Sequence, residues 1–222
     1  MAETNKIIVF ANQKGGVGKT TLCMLFANYL AKIGKNVLVV DVDLQHTMRD
    51  QRAADEQVFR EQQIPYNIQS FDIKDPEKAK QFMATVKKLP GTVLIDAPGN
   101  ISEDGLLPVF VYADYIICPY QYEGKTISST SKFVKVMSQI KNLYKSVGSL
   151  LFVPNKIDTR VGTAEERKSW LMADSLFAKF GKVSPLIAYR SDMMRINTYS
   201  LHKEHEEIVE KSFRFLTEEI YK

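Results

Sequence analysis

Apolar residues gather in short unbroken runs along the chain, and the stretches between them carry apolar positions every three or four residues. Lys6–Ala11, Asn36–Val40, Thr92–Ile95, Tyr115–Cys118 and Ser149–Val153 are runs of the first kind. Such runs read as strands buried on both faces, because a half-exposed strand would alternate apolar with polar. Tyr66–Phe71 and Leu186–Tyr189 predict two further short strands. Leu22, Leu25, Phe26, Tyr29, Leu30 and Ile33 have helical spacing, and helices are also predicted over 46–63, 75–88, 125–147, 163–180 and 203–221. The helix at 75 is opened by Asp75 and Pro76, a capping carboxylate followed by a proline whose missing N–H costs nothing there. Strands alternating with helices predict an α/β fold: one domain over residues 1–222, with a mostly parallel central sheet covered by helices on both faces.

Several of the predicted strands run into polar residues at their C-terminal ends: Asp41 and Asp43, then Asp96, then Asn155. Ligands of open parallel sheets bind at that edge. Lys19, Asp43, Asp96 and Asn155 are therefore expected to converge. The first strand leads into Gln13, Lys14, Gly15, Gly16, Val17, Gly18, Lys19, Thr20 and Thr21, and a helix follows at once. Strand, glycine loop and helix with Gly-Lys-Thr at the turn is the layout of a phosphate-binding P-loop. Glycines allow the backbone to curl until its N–H groups converge on phosphate oxygens, and the helix N-terminus adds partial positive charge. On this reading residues 14–21 form the phosphate cradle, Lys19 reaches the β- and γ-phosphates, and Thr20 holds Mg²⁺. Asp96 is the carboxylate expected to hold the same ion through water, and Gly99 beside it brings a backbone N–H near the γ-phosphate. A nucleoside triphosphate and Mg²⁺ are the expected ligands of such a loop. Two details depart from a generic P-loop: Gln13 stands at the usual first glycine, and a second lysine, Lys14, follows it.

Composition adds less. With 222 residues, 45% of them hydrophobic, the chain can bury one good-sized core. No apolar run reaches the length of a membrane span, and no secretory pattern opens the chain. Cys23 and Cys118 each lie in an apolar segment, which predicts buried thiols and a cytoplasmic setting. The net charge of +4 is unevenly spread: residues 121–160 hold seven Lys/Arg against Glu123 and Asp158. On a helical projection of 126–147, Phe133, Val136, Met137, Ile140, Leu143, Tyr144 and Val147 share one arc, and Lys132, Lys135, Lys141 and Lys145 lie opposite. Unpaired lysines of this kind suit salt-sensitive contact with a phosphate backbone. Arg190 and Arg195 form a second candidate patch, within a segment (181–222) whose basic and acidic residues balance at seven each. His202 and His205 are three apart, but no further ligand accompanies them, and they read as an exposed helix start.

Lys14 to Thr21 resembles the deviant Walker A loop of the ParA/MinD family of ATPases. Asp41-Val42-Asp43-Leu44-Gln45 is similar to that family's Asp-x-Asp-Pro-Gln, with Leu44 in place of the proline. The resemblance implies a slow, partner-stimulated, Mg²⁺-dependent ATPase with Lys14, Lys19 and Asp43 as catalytic residues. Lys14 would reach the partner's phosphates in an ATP-sandwich homodimer, and Asp43 would orient the attacking water and stand in the metal's outer shell. Asp41 would support the loop, and Asn155 would hydrogen-bond adenine. The family further implies nonspecific DNA binding, a ParB-like stimulating partner, and the segregation or positioning of a plasmid, mobile element or chromosome region. It also implies cytoplasmic localisation, nucleoid association with ATP bound, and a short form without the N-terminal helix-turn-helix of larger relatives. Asn155-Lys156-Ile157-Asp158 also resembles the Asn-Lys-x-Asp string by which GTPases read guanine, so two bases are open and the loop points to ATP. A MinD-like membrane ATPase would need a basic amphipathic tail. Residues 213–222, with Glu218 and Glu219 against Arg214 and Lys222, are too acidic for that and read instead as the last core helix, so no membrane is expected. A nucleotide-gated scaffold with negligible turnover is the other alternative, suggested by Leu44. An iron protein of the nitrogenase type would need cysteines after the Asp96 strand, where none occurs.

Overall fold

The computed structural model describes residues 4–43, 45–100, 104–144, 147–160 and 162–222. Leu44 and Lys145, singled out above, lie outside the described residues. Seven strands form one sheet: β1 (Lys6–Phe10), β2 (Val37–Asp41), β3 (Asn67–Ser70), β4 (Thr92–Asp96), β5 (Tyr115–Tyr120), β6 (Ser149–Pro154) and β7 (Gly181–Val183). All neighbours pair in parallel, in the order β3-β2-β4-β1-β5-β6-β7. The helices are α1 (Lys19–Lys32), α2 (Thr47–Val58), α3 (Pro76–Val86), α4 (Leu106–Tyr112), α5 (Gly124–Leu143), α6 (Ala164–Phe177) and α7 (Lys203–Ile220), with a 3₁₀ turn at Ser191–Met194.

The period of two along each strand divides the core into two layers. Ile7 and Val9 of β1, Val93 and Ile95 of β4, and Cys118 of β5 face the layer packed by α3, α4 and α5. Ile8, Phe10, Leu94 and Ile117 face the opposite layer, closed by α1 and by Val209, Phe213, Leu216 and Ile220 of α7. Burial on both faces is what makes these strands continuously apolar. Both cysteines are buried free thiols.

The helices predicted at 75, 125, 163 and 203 lie where their patterns placed them, and local signals explain their starts. Asp75 accepts from the backbone N–H groups of Glu77 and Lys78 at the head of α3. Thr163 and Glu166 cap α6 reciprocally, Thr163 N–H donating to Glu166 Oε2 and Glu166 N–H to Thr163 Oγ1. Residues 213–220 do pack as the last core helix, as expected. The helix predicted over 46–63 is shorter, ending at Val58.

Three expectations are corrected. Leu186–Tyr189 is not a strand; it carries a single bridge, Ala188 to Ile157, and the seventh strand is Gly181–Val183. Pro154 and Pro185 lack the N–H groups a continuing ladder would need, so the pairing breaks after Val183. The apolar arc of α5 also ends earlier than projected. Phe133, Val134 and Met137 are buried, but Leu143 is 79% exposed and Tyr144 has left the helix. Finally, His205 is buried, its Nε2 against Asp192 O (3.0 Å), rather than part of an exposed helix start.

Candidate functional site

β1 pairs with β4 on one side and β5 on the other, so chain connections diverge around it and open a crevice at its C-terminal end. The glycine loop fills that crevice. Gly16 (φ 79°) and Gly18 (φ 94°) both take left-handed backbone, which a β-carbon would strain. Gly18 is the N-cap of α1 and supplies no side-chain acceptor, and no acidic residue occupies the first turn. The first N–H groups of α1 are thus left to an external anion. Space above Gly15 and Gly16 is open: a methyl group on either would meet no atom within 4 Å.

The loop is held from beneath by residues of the neighbouring strand ends. Asn12, fully buried at the end of β1, donates to Pro119 O (2.7 Å) and Thr130 Oγ1 (2.8 Å) and accepts from Lys14 N–H (3.3 Å). Asn155 donates to Val17 O (2.8 Å), and Lys156 Nζ donates to Gly16 O (2.8 Å). Sequence reading missed Asn12 and the loop contact made by Lys156. A polar side chain closing an apolar strand was the available signal for Asn12; Lys156 stood out only as part of the Asn-Lys-x-Asp string, which does not point to the loop.

Inside this cradle lie two groups of opposite sign. Lys19 is buried, and desolvation lowers its pKa against the opposing pull of Asp96 and Asp43. Asp96 is also buried, and desolvation raises its carboxyl to about 7, with the Thr20 hydroxyl bonded to it and Asp41 pushing further up. The strand register sets that crowding, since Asp96 pairs directly with Asp41 across β4 and β2 and with Phe10 across β1. Asp96 Oδ1 has no hydrogen-bond partner among the described residues. A buried carboxylate oxygen left bare beside a threonine hydroxyl and a loop lined with N–H donors fits a hydrated Mg²⁺ accompanying a polyphosphate.

Asp41 accepts from Asp43 N–H (3.1 Å) and Met48 N–H (3.2 Å), fixing the turn into α2, and burial raises its pKa. Asp43 is half-buried and accepts from Gln45 N–H (3.1 Å). Gly99 comes back over the site, its β position 3.6 Å from Lys19 Nζ and 3.7 Å from Gly15 Cα. Lys19, Asp43, Asp96 and Asn155 are thus gathered around one loop. Lys14 is exposed at its rim, and its ammonium has no partner among the described residues.

Beside Asn155 a cavity of about 420 Å³ is lined by Thr21, Lys156, Tyr189, Arg190, Met193 and Ile196, among others. Asn155 Oδ1 is buried without a partner among the described residues. Arg52 of α2 donates to Thr198 Oγ1 (2.8 Å), Thr198 O (2.9 Å) and Tyr66 O (2.8 Å), while Asp55 accepts from Thr198 N–H and Oγ1. This buried network ties the helix after the Asp43 turn to Thr198, two residues beyond Ile196 of the cavity's lining. Asp158 is not among the residues lining the cavity and is paired with Arg160 at 2.8 Å, which holds its carboxyl down at about 2.

The candidate lysines stand apart from this site. Lys132, Lys135 and Lys141 are exposed along α5, and no carboxylate pairs with them among the described residues. Arg190 and Arg195 instead share Asp192, at 3.5 and 2.9 Å.

A family model described as the CobQ/CobB/MinD/ParA nucleotide binding domain matches residues 8–196. Protein IncC of Escherichia coli is 26% identical over 194 residues, covering 71% of this chain and 52% of its own length, so the chain spans about half of that relative. The chromosome-partitioning ATPase Soj of Treponema pallidum is 29% identical over 195 residues, covering 72% of this chain and 75% of Soj. Among solved structures, a putative plasmid partition protein from Borrelia burgdorferi bound to AMPPNP superposes with a TM-score of 0.74 at 17% identity, covering 98% of this chain and 100% of that one. The MinC:MinD cell division complex of Aquifex aeolicus gives 0.73 at 18% identity, with 96% of each chain covered. The chain belongs to the CobQ/CobB/MinD/ParA nucleotide-binding family.

Proposed function

We propose that this member of the MinD/ParA family is an Mg²⁺-dependent ATPase whose site is completed by a second copy of the chain, and whose nucleotide state gates its hold on nonspecific DNA. The observation that carries the reading is the contrast between its two loop lysines. Lys19 is buried against Asp96 and Asp43, whereas Lys14 is exposed at the rim with its ammonium unpartnered among the described residues. A cation so placed is of little use to its own site but can reach phosphate charge on a facing copy, as an arginine finger does.

Within one chain the roles follow from position. The bare N–H groups of residues 15–20 and the Lys19 ammonium bind the β- and γ-phosphates. Thr20 and Asp96 hold the hydrated Mg²⁺, which when bound neutralises phosphate charge. Asp43, half-buried beside Lys19, holds the attacking water. Asn155, with its free Oδ1, accepts from an exocyclic amine of the base in the adjoining cavity. Adenine presents such an amine. Guanine reading would need Asp158, which is engaged with Arg160 and does not line the cavity. These features support ATP over GTP.

DNA contact falls to the exposed lysines of α5 rather than to Arg190 and Arg195, since Asp192 offsets those two. Segregation or positioning of a plasmid, mobile element or chromosome region, stimulated by a ParB-like partner, is the role that fits such a switch. The apolar residues of α7 are committed to the core, and no helix among the described residues is long and apolar enough to cross a membrane. The deciding experiment is light scattering of wild type and Lys14→Ala with ATPγS. Wild type should dimerise and the variant should stay monomeric while still binding nucleotide. A variant that dimerises as wild type does would refute the shared site.

A further inference from the structure

Far from the phosphate loop, three cavities run together along the outer side of α5 and α6. One of about 330 Å³ lies between the helices, over Val134, Leu176, Phe177 and Phe180. One of about 430 Å³ extends it across Leu171, Met172 and Leu176 on the outer face of α6. One of about 630 Å³ continues it past Met137, Lys141 and Phe180 to the starts of β5, β6 and β7. Ser138 and Phe180 line both the first and the third, Leu176 the first and the second, and Lys179 the second and the third, so the three adjoin as one groove.

Its floor is apolar beyond what packing requires. Leu171 is 67% exposed, Met172 65%, Phe180 49% and Leu176 39%. A helix normally turns such residues inward, and a cluster of this size left open marks an interaction surface. Its rim is basic: Lys135, Lys141, Lys168 and Lys179 line it, and none has a carboxylate partner among the described residues. The one carboxylate among the lining residues, Glu219, is already held by Lys182 and Lys222.

We infer that this groove docks an acidic amphipathic segment of a partner protein, its apolar side chains set between α5 and α6 and its carboxylates against the four lysines. Charge complementarity selects an acidic occupant. The concave apolar floor selects a peptide over duplex DNA, whose phosphates would meet the rim lysines but leave Phe180 and Leu176 uncovered. A flat lipid surface would likewise not fill the cleft between the helices. The groove lies at the end of the sheet where strands begin, opposite the nucleotide site, so a docked segment leaves that site open. Lys135 and Lys141 belong to both this rim and the proposed DNA face, so the two ligands would compete.

The test uses the full chain and a fluorescent synthetic helix bearing leucines at i, i+4 and i+7 with glutamates between, read by anisotropy without nucleotide. Saturable binding is expected. Leu171→Glu, at an exposed position that leaves the core intact, should weaken it by about tenfold or more. The Lys168→Glu/Lys179→Glu variant should lose the glutamate helix and gain a lysine counterpart of the same leucine pattern. Absence of saturable binding, or binding indifferent to both changes, would overturn the proposal. So would Leu171-dependent binding of duplex DNA or of phosphatidylglycerol vesicles in place of the peptide. Lys132→Gln, outside the groove's lining, separates the two readings. It should weaken DNA retention in gel shifts and leave the peptide untouched, so either surface can fail alone.

Discussion

Placing a single methyl group on each glycine of the phosphate loop separates backbone strain from steric contact. Gly15 has neither positive φ nor a neighbour within 4 Å of its β position, so Gly15→Ala should change the stability of the nucleotide-free protein by no more than about 0.5 kcal/mol. Gly16 has φ 79° and the same open space, so Gly16→Ala carries only the left-handed penalty of ~1–2 kcal/mol. Gly18 has φ 94°, and its methyl would overlap Asn155 Nδ2. Displacing that amide breaks the 2.8 Å bond to Val17 O in a buried setting. A broken buried bond of this kind adds about 1–3 kcal/mol to the left-handed penalty. Gly18→Ala should therefore cost ~2–5 kcal/mol. The contact part vanishes if Asn155 is first truncated. In an Asn155→Ala background the same change should cost only ~1–2 kcal/mol, leaving a coupling that a double-mutant cycle reads. Urea denaturation of wild type, the three glycine variants, Asn155→Ala and the double variant in EDTA supplies the free energies. Equal costs in the two backgrounds would refute the proposed contact, and a cost at Gly15 matching that at Gly18 would refute the backbone argument as well.

Other outcomes follow from the same geometry. Burial holds the Asp96 carboxyl at about 7, above its ordinary value, so the native state binds more protons than the unfolded one between about pH 4 and 7. In EDTA, wild type should lose stability relative to Asp96→Asn as pH rises through that window, by on the order of a few kcal/mol. A flat difference in urea midpoints across it would contradict the burial argument. Asp43→Ala should lower ATP turnover by about 10²–10⁴ while leaving nucleotide affinity nearly intact. Equal, near-zero rates for the variant and wild type would instead favour a switch without turnover. Removing the reciprocal cap of α6 with Thr163→Ala should cost ~1 kcal/mol in thermal or urea unfolding without touching nucleotide binding.

The chemistry of the loop was readable from the chain because it is local. Gly15 to Thr21 are consecutive, and a tight turn into a helix N-terminus is dictated by glycines and by the first residues of α1, whatever lies around them. The buried strands were readable for a similar reason: burial on both faces leaves an unbroken apolar run. Even the gathering of Asp43, Asp96 and Asn155 followed from a rule about one edge of a parallel sheet.

Tertiary structure decided what depends on partners distant in sequence. Asn12 earns its place through Pro119 and Thr130, and Asn155 through Val17, contacts spanning more than a hundred positions. The short α4 lacks a polar face to give it a period, and β7 is a strand only because Leu150–Phe152 stands beside it. The elevated Asp96 carboxyl needs its burial in the packed sheet, with the register that sets Asp41 beside it adding to the shift. The open groove between α5 and α6 was equally hidden, since a helical projection sorts residues into faces but does not say which face goes uncovered. Sequence determines local geometry and the identity of the reactive groups. Desolvation, strand register and the covering of surfaces are properties of the packed chain, because each is a relation between segments rather than within one.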